Sequence, residues 1–235
     1  MFARYINLDA RTDRRARMET LLQSTTVPIE RFSAYKGSTD HLSLRAQAEY
    51  TLMRKHHHEI RSEGAIGCFL SHMQIWKDFL QSSATQCLVL EDDVDSLGQL
   101  DSVVEFFSQT SWDIALLGWK GNRIHVMAND TVLPWPVSEG FFGTHAYMLT
   151  RYAATLLLQE AYPIDGVQID AYMQMSAWKH SLRIVASPKK IHQQWGTSNI
   201  QESYCAFCEP SQLFVFGFAC SILVTFILSS TLFAT

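Results

Sequence analysis

The sequence predicts an α/β layered fold with a largely parallel central sheet, followed by a C-terminal hydrophobic helix. Three observations carry this. Short apolar, β-rich runs alternate with helix-spaced stretches from residue 2 to about 110, the order expected when helices cross between parallel strands. The run CLVL at 87–90 is apolar at every position and ends in acid, as in a strand covered on both faces with its tip at the surface. Residues 211–235 contain no charged residue.

Residues 2–8 are apolar and β-rich and read as the first strand. Residues 9–24 carry helical spacing, with Met18, Leu21 and Leu22 on one side and arginines on the other, and Asp9 as the expected cap. A second strand is predicted at 28–35 and a polar helix within 42–61. The clearest helix is 65–80, where Ile66, Phe69, Leu70, Met73, Trp76 and Leu80 recur at steps of three and four. Gly64 and Gly67 leave its first turn open to another backbone. A helix at 103–107, strands at 112–117 and 140–149, helices at 151–160 and 165–178, and a last strand at 182–186 complete the series.

The chain has 235 residues, of which 47% are hydrophobic and 18% charged. Those values exclude a disordered chain, a collagen-like repeat and a disulfide-dense miniprotein. Nineteen basic against 23 acidic residues give a formal charge of −4, so no basic surplus is available for nucleic acid, and none is expected as a partner. The expected organisation is a catalytic domain at 1–200, a linker at 201–210 and a transmembrane anchor at 211–234. Helical residues rise about 1.5 Å each, so such a run is long enough to cross a hydrocarbon core of about 30 Å. MFARYINLD lacks an apolar leader segment. The expected localisation is therefore a single-pass C-terminal membrane anchor with the catalytic domain facing the cytosol. Five cysteines are an odd number, and reduced thiols are the default. Cys205 and Cys208 form a lone C-x-x-C, short of a zinc set even with His192.

The strongest chemical constellation is Glu91-Asp92-Asp93. Side chains alternate along a strand, so Glu91 and Asp93 point one way and Asp92 the other. Three adjacent carboxylates at a buried tip repel unless a cation or hydrogen bonds offset them. Oxygen donors suit Mg²⁺ or Mn²⁺, which bridge carboxylates to phosphates; the competing reading is a solvated acidic loop. Arg11 and Arg14 follow the first strand, on the same sheet edge, where they can pair with a diphosphate or form an exposed basic face, as expected for Arg15 and Arg17. His56, His57 and His58 diverge around a helix and read as solvated. Cys68 and His72, one turn apart, read as packing plus one hydrogen bond. Asp165 and Asp170 flank a glycine in PIDGVQID. Either can act as a general base, and Asp165 can instead cap a helix. Trp119 and Trp135 can stack on a sugar, or belong to the core or its rim.

YINLDARTDRR at 5–15, EGAIGCFLSHMQIW at 63–76 and CLVLEDDV at 87–94 resemble glycosyltransferase family 25, and WDIALLG, GTHAYMLTRYAATLL, PID and SPKKIHQQWGTSNI continue the match to about residue 200. The resemblance implies a GT-A-like, Rossmann-type nucleotide-sugar-binding fold. It implies a UDP-sugar donor, commonly UDP-galactose, and inverting transfer to a glycan, lipid-linked or protein hydroxyl, as in lipopolysaccharide biosynthesis or protein glycosylation. It further implies that Asp93 holds Mn²⁺ or Mg²⁺ against the diphosphate with Glu91 or Asp92 assisting, that Asn7, Arg11 and Arg14 lie near the nucleotide, and that Asp165 or Asp170 is the base. His192 would close the metal shell. The hydrophobic tail and the stretch between Asp40 and Ser62 depart from the family pattern. Other readings are a non-catalytic membrane-tethered nucleotide-sugar or glycan binder and a metal-dependent phosphohydrolase.

Overall fold

A computed structural model describes residues 1–50, 58–120, 133–134, 141–187 and 189–194. In chain order the elements are β1 (Phe2–Asn7), α1 (Thr12–Leu21), β2 (Glu30–Ser33), α2 (Leu44–Tyr50), α3 (Glu63–Gln81), β3 (Gln86–Glu91) and α4 (Leu100–Ser108). Then come β4 (Ile114–Lys120), β5 (Leu133–Pro134), β6 (Phe142–Thr150), α5 (Arg151–Gln159), α6 (Ile169–Lys179) and β7 (Ile184–Ala186).

The strands form one sheet in the order β2-β1-β3-β6-β4-β7-β5. β1 pairs parallel with β2 and β3, and β4 pairs parallel with β7. β6 runs antiparallel between β3 and β4, and β5 antiparallel to β7. All strands except β6 and β5 therefore share one direction, and the sheet is mostly parallel with a reversed strand at its centre. An apolar run reads the same in either direction, so periodicity alone does not reveal that reversal.

Strand alternation divides the core into two layers. Cys87 and Val89 of β3, with Tyr147 and Leu149 of β6, pack under α3, α5 and α6. Leu88 and Leu90, with Ala146 and Met148, pack against Met18 of α1 and Val103 and Phe107 of α4. Each central strand is thus buried on both faces, which explains its unbroken apolar run.

Helix α3 begins where the Ser62 hydroxyl accepts the Ala65 N–H at 3.1 Å. A Cβ on Gly67 would stand 2.3 Å from the Tyr35 carbonyl, and one on Gly37 would stand 1.9 Å from the Glu63 carbonyl. The two glycines let the chain after β2 lie directly on the first turns of α3. At the other end, Arg151 Nη1 donates to the carbonyls of Phe79 (3.2 Å), Ser82 (2.9 Å) and Ala84 (3.1 Å), and Nη2 to Leu80 (2.6 Å). A cation there satisfies acceptors that a helix end leaves open.

Three expectations are corrected. Asp9 does not cap α1: its carboxylate accepts from the Arg31 guanidinium and from Ser33 Oγ at 2.8 Å, and Arg11 occupies the cap position. Asp165 does not start α6, which begins at Ile169 behind Gln168, because the Asp165 carboxylate is taken by Arg45 and Ser43. Finally, the single-pass membrane localisation, with its cytosol-facing domain, does not stand. Among the described residues no helix is long and apolar enough to cross a membrane. The longest, α3, carries Glu63, Lys77 and Asp78, charges that are costly in hydrocarbon. The apolar tail at 211–234 and the Cys205/Cys208 pair lie outside the described residues.

Replacing Arg151 with Met keeps the stem but removes the guanidinium donor from the carbonyls of Leu80, Ser82 and Ala84, while the Phe79 carbonyl still accepts from Ser82. The expected cost is about 1–3 kcal/mol, read as a lower urea midpoint at unchanged slope. A midpoint equal to the parent's would show that α3 ends stably without the cap.

Candidate active site

The carboxyl ends of β1 and β3 lie side by side, with Ile6 opposite Glu91. Because β6 is reversed, its amino end reaches the same edge and brings Thr144 and His145 with it. Ligands of open α/β sheets bind beyond this edge.

The three acids, the last residue of β3 and the first two of the turn after it, take different partners. Glu91 continues the Cys87–Val89 face and meets α3: its Oε1 accepts from Thr144 Oγ1 at 2.7 Å and lies 3.5 Å from His72 Nε2. Asp92 turns to the opposite layer, where Arg14 Nη1 donates to its Oδ1 and Asn7 Nδ2 to its Oδ2, both at 2.7 Å. At Asp93, Gln193 Nε2 donates to Oδ2 at 2.6 Å, Arg14 Nη1 stands 3.8 Å from that oxygen, and Oδ1 is buried with no hydrogen-bond partner.

Asn7 is almost fully buried and fully engaged. Nδ2 also donates to the Arg11 carbonyl at 3.1 Å, and Oδ1 accepts from Arg31 Nε at 2.9 Å. Arg11 forks onto Asp13 at 3.0 and 2.8 Å. Arg15 pairs with Glu19 on the surface, as expected of a basic face. Arg17 departs from that expectation, because both its terminal nitrogens donate to the Val94 carbonyl and pin the turn after the acids.

A short segment after β7 closes the site. Ile191 N–H bonds the Leu117 carbonyl at 2.7 Å, Asp95 N–H bonds the His192 carbonyl at 2.9 Å, and Gln194 N–H bonds the Asp93 carbonyl at 2.7 Å. His145 Nε2 donates to the Ile191 carbonyl at 3.0 Å, since a carbonyl can only accept. A Cβ on Gly118 would lie 2.2 Å from that nitrogen and 2.6 Å from the Ile191 oxygen, so only glycine admits this crossing. The His192 side chain is exposed, and its neighbour Gln193 reaches the acids.

The two candidate bases part company. Asp165 sits in the exposed pair with Arg45; burial would raise its carboxyl, but Arg45 and Ser43 hold it below the usual range. Asp170 accepts the N–H groups of Gly143 (3.0 Å) and Ala171 (2.7 Å). Burial pushes its carboxyl up, and the Glu91 charge acts in the same direction. Cys68 is likewise pushed well up by burial, then by Glu91, Asp170 and Asp93, so it stays a thiol. Trp119 is buried in the core with Lys190 over its ring at 4.9 Å. His58 is exposed and stacks on Phe142 at 5.5 Å. His56, His57 and Trp135 lie outside the described residues. Sequence reasoning missed Thr144, His145, Arg31 and Gln193; all reach the site through sheet pairing or a late crossing, which leave no local periodic signal.

The profile of glycosyltransferase family 25 (LPS biosynthesis protein) matches residues 3–173 of this chain. A glycosyltransferase 25 family member of Drosophila pseudoobscura pseudoobscura is 34% identical over 200 residues, covering 74% of this chain and 30% of that protein. Procollagen galactosyltransferase 1-A of Xenopus laevis is 25% identical over 193 residues, covering 75% of this chain and 31% of that protein. A Mus musculus relative named inactive glycosyltransferase 25 family member 3 is 29% identical over 187 residues, covering 74% of this chain and 31% of that protein. The chain spans less than a third of the length of these relatives.

Burial, then the adjacent Glu91 charge, push the Asp93 carboxyl from 3.8 to about 7, against the Gln193 and Arg14 contacts. The folded chain then holds a proton that the unfolded chain releases, so this group's stabilising contribution falls as pH rises from 3.8 towards about 7. In metal-free protein the parent should lose more stability between about pH 5 and about pH 8 than Asp93→Asn does. Parallel thermal melts check this, and equal pH slopes would refute the assignment.

Proposed function

Because this chain belongs to glycosyltransferase family 25, we propose that it moves a hexose, galactose foremost, from a UDP-sugar to a hydroxyl acceptor with inversion, on a GT-A-like fold. The observation that carries the reading is the unpartnered, buried Asp93 Oδ1 beside Glu91 at the carboxyl edge of the sheet. A buried carboxylate oxygen without a donor is costly unless a ligand supplies positive charge. All-oxygen donors fit Mn²⁺ or Mg²⁺. Asp93 and Glu91 would hold the ion, and exposed His192 beside Gln193 is available to complete the set. When bound, the metal offsets the charge of the departing nucleoside diphosphate.

The chain's own residues have separable tasks. Asn7 and Arg14 fix Asp92, so Asp92 shapes the nucleotide side of the edge. Arg14 also stands between Asp92 and Asp93, where its charge can meet a diphosphate oxygen. Arg11 lies next along the same turn. Asp170 is the stronger candidate base: burial raises its affinity for a proton, whereas Arg45 keeps Asp165 as a stable anion. A base must take the acceptor hydroxyl's proton as the oxygen attacks the anomeric carbon. The acceptor class is a glycan, lipid-linked or protein hydroxyl.

A second reading is donor binding without turnover. It is favoured by the relative named inactive, which matches 74% of this chain.

The test is UDP release by the full chain from a panel of UDP-sugars with Mn²⁺. Turnover is expected with UDP-galactose. Asp93→Ala should lose at least about 100-fold of it, and Asp170→Asn about 10²–10⁴-fold in kcat, with Asp165→Asn near the parent. Donor-dependent stabilisation without release would favour the binder. Full activity in a folded Asp93→Ala protein would remove the metal assignment.

A further inference from the structure

His72 is fully buried, and its Nε2 finds no hydrogen-bond partner at normal range, although Glu91 Oε1 lies 3.5 Å away. Its other nitrogen, Nδ1, is 2.8 Å from the Tyr147 hydroxyl, which is also 2.8 Å from Trp76 Nε1. Trp76 and Tyr147 belong to the core layer under α3, and His72 is fully buried beside them.

The donor inventory sets the direction of these contacts. Indole nitrogen donates only, so the Tyr147 oxygen must accept from Trp76. The phenolic hydrogen then needs an acceptor, and His72 Nδ1 is the one within reach. Nδ1 therefore accepts, and the ring proton sits on Nε2, the atom facing Glu91. The reverse arrangement would bury the Tyr147 hydrogen with no acceptor, a disfavoured state.

Resting on the metal–diphosphate reading above, we infer that Trp76, Tyr147 and His72 form a one-way hydrogen-bond chain that fixes the Nε2–H tautomer of His72 and aims that proton at Glu91, orienting the carboxylate for the cation. Both protein contacts of Glu91 fall on Oε1, from Thr144 and His72. Oε2 has no hydrogen bond or ion pair among the described residues, which leaves it as the metal-facing oxygen. His72 is thus a positioning residue that acts through Glu91. Cys68 brings a sulfur to the same spot: the ligand atoms of Cys68, His72 and Glu91 lie within 4.8 Å of one another. The triad does not form a soft-metal site while Nε2 carries the proton, because a ligating nitrogen needs its lone pair.

The test starts from the full chain, metal-free, labelled with ¹⁵N-histidine at neutral pH. The His72 signals should show a protonated Nε2 and a bare Nδ1; a protonated Nδ1 overturns the proposal. Tyr147→Phe should release the constraint and give mixed tautomers. Mn²⁺ affinity, read by the resonance of free Mn²⁺, adds a second arm. His72→Gln places an amide N–H near the Nε2 position and should stay within a few-fold of the parent, while His72→Asn, too short to reach, should bind about 10–100-fold more weakly. Equal affinity in the two variants overturns the positioning role. A thiolate–metal absorption band on adding Co²⁺, lost both in Cys68→Ser and in His72→Gln, would overturn the tautomer by showing a ligating His72. A parent that binds no Mn²⁺ would sink the metal reading and the orienting role with it; the spectrum would still judge the hydrogen-bond chain by itself.

Discussion

The site depends on one geometric constraint, the separation of three adjacent carboxylates where β3 ends at Glu91 and a turn begins at Asp92. Three carboxylates in a row would repel strongly if they shared a surface. Glu91, the last strand residue, faces the α3 layer, and the turn then carries Asp92 to Arg14 of α1 and Asp93 to Gln193. Each then meets a different environment: His72 and Thr144, Arg14 and Asn7, and Gln193. Asp92 is neutralised by a cation of the protein. Asp93 keeps one buried carboxylate oxygen without a hydrogen-bond partner.

Two features of the sheet make those partners available. The reversed β6 delivers Thr144 and His145 to the edge where β1 and β3 end. The 189–194 segment, held by Leu117, His145 and Asp93, lays Gln193 against the acids. The close crossing at Gly118 couples the two, since a side chain there would occupy the His145 ring position. Core and site are also continuous: Tyr147, in the middle of β6, is packed as a core residue yet sets the orientation of His72 and, through it, Glu91.

Much of this was legible beforehand, and the reason differs by element. The core face of α3 was readable because six apolar residues recur at helical spacing, and β3 because it is apolar on both faces. A polar helix is expected within 42–61; α2 covers Leu44–Tyr50 of it, whereas Glu59 bridges to Val167. A polar stretch carries no stripe to mark where a helix stops. Parity along a strand predicts that Glu91 and Asp93 point one way and Asp92 the other, but β3 ends at Glu91, so the turn and not strand parity places the two aspartates. That Asp165 rather than Asp170 is tied to a cation was decided only by Arg45, a residue far away in sequence whose guanidinium takes the first of them. Arg17 was misread for the same reason, because its acceptor is a backbone carbonyl that no sequence pattern advertises.

By itself the sequence determined the main strands and helices, though not β5, together with the acidic strand tip and the family, because these rest on local periodicity and contiguous motifs. Only the tertiary structure decided which acid is neutralised, which is left bare, and which candidate base is tied to a cation. Those outcomes are set by hydrogen bonds and charges a few ångströms long between residues tens of positions apart, and chain order does not encode such distances directly.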